Sequence, residues 1–274
     1  MKLAKMSWSF KLSAGFLALI IILAIIIPMF SNLDPNGFDP NCIGEPAAPS
    51  IRHIFGTDDL GRDILLRLIY GARVSLTVGL VSVGIMIFVG IFVGTIAGYL
   101  GGWVDELIMR FVDVFMAIPT IFLILTIQIL LKPSIYNVMF VIGLTSWTGV
   151  SRLVRAEILS IKERPFITAA YARGISHLRV LIKHILPHAL NPIIVASMLG
   201  MGTAILTESV LSYLGLGIQP PHASWGNMLE NSLSFMIDAP WMAIAPGVLI
   251  SLTVLSLNFL GDFLRSGLNP RESK

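Results

Sequence analysis

Apolar residues fall into six long runs separated by shorter polar stretches, at about 12–30, 74–98, 108–131, 137–155, 185–207 and 241–262. A helix needs roughly 20 apolar residues to cross the hydrocarbon of a bilayer, and each run approaches or exceeds that length. Gly and Pro inside such runs are tolerable, because neighbouring helices satisfy freed backbone groups. The pattern predicts an all-α polytopic membrane protein with six transmembrane helices. The second run carries Gly79, Gly84, Gly90, Gly94 and Gly98 near four-residue spacing, a stripe that lets helices approach closely in lipid. Pro119 predicts a kink in the third. The first run follows Lys2, Lys5 and Lys11 as a signal peptide would. It exceeds the roughly 7–15 apolar residues of a signal peptide and no small-residue cleavage site follows closely, so an uncleaved helix is expected.

Two polar stretches flank these runs. GTDDLGRDILLRLIY precedes the second, with Leu60, Ile64 and Leu68 on one line and Arg62, Asp63 and Arg67 off it. With Thr57 as N-cap, this predicts a helix along the outer membrane surface; Asp58, Arg62 and Asp63 could instead contact an extracytoplasmic protein. The chain thus divides into residues 1–73, an N-terminal anchor helix with an outer interfacial segment, and residues 74–274, the transmembrane domain.

The other stretch, FITAAYARGISHLRVLIKHILP, runs from Phe166 to Pro187. Pro165 suits the first turn of a helix. Ile167, Ala170, Tyr171, Leu178, Leu181 and Ile182 recur at helical spacing, and Gly174 allows a sharp corner between two short helices. An amphipathic element of this kind can lie on lipid, cover its own bundle or dock in a groove of another protein.

Composition narrows the class. Only 13% of residues are charged, about half the share of soluble domains. Cys42 is alone, which excludes a disulfide framework and a cysteine zinc site. The cations suggest no nucleic acid and instead report orientation. With the N-terminus inside, fourteen of the nineteen Lys and Arg are cytoplasmic, which places both termini and the 166–187 stretch inside.

The candidate chemistry is sparse. Arg110 and Asp113 are three apart and predict a pair on one helix face. Gln128, Met201 and Glu208 lie within spans and are candidates for a substrate pathway; Glu208 could equally hydrogen-bond its own helix end. The five histidines form no metal-ligand pattern, and no Walker A sequence, EF-hand or Ser/His/Asp arrangement occurs. No metal site is expected.

Thr168-Ala169-Ala170, then Gly174, then Ile185-Leu186-Pro187 resembles the EAA loop of permease subunits of bacterial ATP-binding-cassette (ABC) importers. Thr168 stands where that family usually has glutamate, so an ion pair is replaced by at most a hydrogen bond. Four further segments, His53 to Asp63, Gly101 to Leu123, Ser209 to Leu229 and Asn258 to Arg271, resemble the second, C-type permease of dipeptide, oligopeptide and nickel importers. The resemblance implies a type I importer permease fold in the bacterial cytoplasmic membrane. It implies that Phe166, Thr168, Ala169, Ala170, Arg173, Gly174, His177, Leu178 and Arg179 couple to an ATPase. The implied partners are a homologous second permease, two ATPase subunits, an extracytoplasmic substrate-binding protein and membrane lipid. ATP and Mg would be held by the ATPase subunits, with no cofactor on this chain and no enzymatic role. The implied cargo is peptide, with nickel or a metal chelate as the alternative. A stand-alone secondary transporter would need more intramembrane charges than this sequence holds.

Overall fold

The computed structural model describes residues 8–31 and 33–268. Lys2, Lys5, Arg271 and Lys274, counted above among the inner cations, lie outside them. The first apolar run is α1, Trp8–Phe30. It buries Leu17, Ile20 and Ala24 and stacks Phe10 on Phe263, ring centroids 3.9 Å apart.

The outer segment departs from expectation. It is a two-stranded antiparallel sheet, β1 Phe38–Ile43 and β2 Leu60–Arg62, and not a surface helix. Thr57 is no N-cap; it is fully buried and its Oγ1 accepts from the Ala47 amide at 2.8 Å. The cap is Asp63, whose carboxylate accepts from the Leu66 amide at 2.9 Å. It opens α2, Ile64–Leu100, one unbroken helix of 37 residues. Ile64 and Leu68 therefore belong to the first turns of a span, buried under α9, Trp225–Ser232, and α10, Trp241–Leu268.

The third run is two helices, α3 Gly102–Ala117 and α4 Thr120–Leu130, bent by 80°. Pro119 forces the residue before it out of the helical region, and Ile118 is extended at ψ 122°. Among the described residues, four helical rods are long and apolar enough to span: α1, α2, His177–Tyr213 and Trp241–Gly267; the bent pair makes a fifth. The expected sixth, 137–155, lies in α5, Ile135–Lys162. Its length suffices but its composition is more polar, because it sits inside the bundle. Buried Thr145 and Ser151 return their hydroxyl protons to carbonyls of their own helix at 2.8 and 2.7 Å.

The glycine stripe of α2 sets its close contact with α5. A Cβ on Gly94 would lie 2.4 Å from the Ser151 carbonyl oxygen, and one on Gly90 would lie 2.6 Å from the Val150 Cβ. Gly84 faces open space. The core around Val78, Val138, Val154 and Ile158 continues without interruption into Ile167, Val180 and Ile185 below the bundle.

Candidate coupling site and transmembrane groove

After α5 the chain turns at Arg164, and Pro165 opens α6, Pro165–Ala172. Gly174 ends it with φ +75°. The Gly174 amide donates to the Tyr171 carbonyl at 2.9 Å and the Ile175 amide to the Ala170 carbonyl at 3.2 Å, the paired bonds of a Schellman cap. The expected corner is therefore present. The second arm differs from expectation. The short helix α7, His177–Val180, passes through a π-helical turn at Leu181–Ile185 into α8, Leu186–Tyr213. A proline ring crowds the carbonyl four residues earlier, and a wider turn relieves it; Pro187 sits just beyond this one. Helix α7 is thus the first turn of a continuous rod, His177–Tyr213, long and apolar enough to cross a membrane.

The corner also resets the helical phase. Val180 is fully buried, whereas Leu178 is 66% and Ile182 54% exposed, the reverse of a phase carried through from Pro165; beyond the π-helical turn Ile185 is buried again. Ile167 and Ala170 turn inward as expected. Phe166, Thr168, Ala169, Arg173, Gly174, His177, Leu178 and Arg179 all lie on the exposed side. Among the described residues, Arg173 and Arg179 form no ion pair. The result is an apolar and cationic surface directed away from the chain's own core.

Two contacts behind this surface were not legible in the sequence. Lys162, ending α5, donates to the Tyr99 carbonyl at 2.8 Å. The Tyr99 hydroxyl, ending α2, donates to the His177 carbonyl at 3.0 Å.

Above the site, α2, α5 and α8 enclose a groove of about 320 Å³ lined in part by Ser82, Ser146, Gly149 and Thr203. Leu153, Ala196 and Leu199 line both it and a lower chamber of about 580 Å³ that also takes in Glu157, Arg164, His188 and Arg265. Ser146 and Thr203 donate to carbonyls of their own helices at 2.8 and 3.1 Å, so they offer the groove oxygen lone pairs.

None of Gln128, Met201 and Glu208 lines this groove. Glu208 is wholly buried; Ser212 donates to it at 2.7 Å and Ser75 at 3.4 Å. Ser75 also accepts from the Trp225 amide at 3.2 Å, so Glu208 ties α2, α8 and α9 together. Gln128 is buried on α4, and Met201 packs against the core of α2, α5 and α8.

At the β1–β2 end, Asp58 and Arg62 are nearly buried and face each other at 2.6 Å; Arg67, 1% exposed, lies 3.6 Å from the same carboxylate. Asp63 caps α2 and meets His53 at 2.9 Å. Their charges are spent on one another within this chain. Nearby, burial pushes the Asp59 carboxyl above its ordinary range, while the Asn41 amide, followed by Arg52, holds Asp39 below it. The expected Arg110–Asp113 pair does not form: Arg110 reaches Glu106 at 2.8 Å, one turn earlier, and Asp113 pairs with Arg152 of α5.

Residues 90–274 match the family described as binding-protein-dependent transport system inner membrane component. The chain is 43% identical over 252 residues to a dipeptide transport system permease protein of Alkalihalophilus pseudofirmus, covering 92% of this chain and 82% of that one. It is 37% identical to an oligopeptide transport system permease protein of Bacillus subtilis, covering 94% and 84%. It is 41% identical to a glutathione transport system permease protein of Escherichia coli, covering 94% and 85%. In fold it is similar to a chain of the inward-facing MetNI methionine ABC transporter, with a TM-score of 0.61 at 19% identity over 75% of this chain and 98% of that one.

Proposed function

This chain belongs to the family of binding-protein-dependent transport system inner membrane components, and on that premise we propose that it carries peptides inward as one of two permease subunits, driven by ATPase subunits, one of them docked on α6 and α7. It is a multi-pass permease of the ABC importer class. The observation that carries the coupling assignment is the exposed face of Phe166, Arg173, Leu178 and Arg179. An apolar patch with unpaired cations beside it suits an acidic-rimmed groove on another protein. Thr168 would offer a hydrogen bond there and no charge.

The mechanism follows from continuity. The closing of an ATPase pair would press on α6 and α7. Because α7 runs into α8, a push there moves a span as a rod; α6 bears on the same core through Ile167 and Ala170. Such a push changes the relative energy of inward- and outward-facing arrangements of the bundle. ATP and Mg would reside on the ATPase subunits, leaving this chain without a cofactor.

For the cargo, the relatives named for dipeptide, oligopeptide and glutathione transport support peptide over nickel and over a stand-alone transporter. The groove supports it too. Its middle holds no fixed charge, so it does not select side chains by sign, and the Ser146 and Thr203 lone pairs can accept from peptide N–H groups. A homologous second permease would close the pathway. A binding protein would deliver cargo to the β1–β2 side, with both termini cytoplasmic as the cation bias indicates.

The test is reconstitution in proteoliposomes with the neighbouring permease, ATPase and binding-protein subunits. ATP-dependent accumulation of a labelled dipeptide or tripeptide is expected. Uptake that follows an ion gradient without ATP would refute the assignment.

A further inference from the structure

We propose that Tyr99 is a positioning residue for energy coupling, the joint through which movement of α6 and α7 reaches α2; this rests on the proposed docking of an ATPase there. Tyr99 is the penultimate residue of α2, the 37-residue span that packs along both α5 and α8. Its hydroxyl donates to the His177 carbonyl at 3.0 Å, at the first residue of α7. The same hydroxyl lies 3.3 Å from the Tyr171 hydroxyl on α6. One side-chain oxygen therefore touches both arms of the corner, on either side of Gly174. The Tyr171 ring in turn packs on His177, centroids 4.9 Å apart, which closes a three-residue ring of contacts.

The other side of Tyr99 is held as firmly. Lys162, the last residue of α5, donates to the Tyr99 carbonyl at 2.8 Å and to the Gly98 carbonyl at 3.5 Å, and its ammonium lies 5.4 Å from the Tyr99 ring centre. A cation there satisfies carbonyls that the end of a helix leaves without partners, and it favours the negative end of the helix dipole. Four elements, α2, α5, α6 and α7, thus converge on Tyr99. Neither α6 nor α7 has another hydrogen bond to α2 among the described residues. The corner at Gly174 is a pivot by backbone geometry; the Tyr99 hydroxyl limits how far its two arms part while it turns.

Tyr99→Phe removes only the hydroxyl. It keeps the ring under Lys162 and the carbonyl that Lys162 uses. The experiment compares wild type, Tyr99→Phe and Tyr171→Phe in the reconstituted complex, reading ATPase co-purification, thermal midpoint and ATP hydrolysed per peptide transported. A merely structural contact would move the thermal midpoint alone. The expected result for Tyr99→Phe is normal assembly, a near-normal midpoint and about fivefold or more ATP per peptide, the lower end of ordinary coupling energies between sites. Tyr171→Phe, which leaves the bond to His177, should show a smaller rise, and it serves alone if Tyr99→Phe does not fold. An unchanged ATP-to-peptide ratio in an assembled complex overturns the role of Tyr99 while leaving the docking assignment intact. Failure of the wild-type chain to bind any ATPase overturns both.

Discussion

Arg155 of α5 holds Asp105 of α3 through one edge of its guanidinium, with Nη2 2.6 Å from Oδ2 and Nε on Oδ1. Asp105 lies in the first turn of α3, where a carboxylate also suits the helix dipole. The pair fastens the start of α3 to the helix that leads into the Gly174 corner, while α4 leaves at 80° beyond Pro119. Asp105→Asn should lower stability by about 1.5–3 kcal/mol, the range for hydrogen bonds to charged groups. A double-mutant cycle with Arg155→Gln, followed by thermal unfolding in detergent, checks it; additive losses would show that the two groups do not act together.

The outer pair is more deeply set. Asp58 is the only carboxylate in ion-pair reach of Arg67 among the described residues. Asp58→Ala removes the carboxylate that two buried guanidinium groups, Arg62 and Arg67, share and should cost about 3–5 kcal/mol. The readout is the thermal midpoint and the yield of folded protein. Because Asp58 faces inward, the loss should appear in the purified chain without any binding partner.

Glycines of α2 separate into two kinds. Gly94→Ala puts a methyl against the Ser151 carbonyl and should destabilise by about 1–3 kcal/mol through forced separation of α2 and α5. Gly84→Ala, with nothing within 4 Å, should be neutral or slightly stabilising. Equal effects at the two positions would refute the packing of these helices.

At the corner, no atom beyond Gly174 and its two chain neighbours lies within 4 Å of where a Gly174 Cβ would stand, so substitution is opposed by backbone conformation alone, at about 1–2 kcal/mol for an L-residue with positive φ. Gly174→Val should insert in the membrane normally yet lose most peptide uptake, because the strain is relieved by moving α7 relative to α6. Uptake and surface labelling, measured on the same cells, separate the two effects.

Hydropathy made most spans legible, since lipid exposure demands apolar side chains along a helix. It was least informative for α5, whose polar residues are buried in protein. The corner at Gly174 was visible because glycine alone adopts its φ cheaply. The phase beyond it was not: once Gly174 resets the chain, Leu178 turns outward and Val180 inward, and periodicity read across the break inverts them. Contacts between distant residues left no local trace. Tyr99 with His177, Arg155 with Asp105, and Glu208 with Ser75 depend on which helices become neighbours. The β1–β2 sheet was also hidden, because FDPNCI lacks a strand's alternation and carries turn-forming residues.

The most direct test of the coupling face is co-purification of an ATPase subunit with Leu178→Asp, using Val180→Asp as the contrasting buried change. Leu178 is exposed in the isolated chain, so Leu178→Asp should leave the thermal midpoint near wild type and abolish ATPase co-purification. Val180→Asp should lower the midpoint itself, since it buries a charge in the core that joins α7 to the bundle. Undiminished ATPase binding by Leu178→Asp, at wild-type stability, would contradict the assignment of this face as the place where the importer is driven.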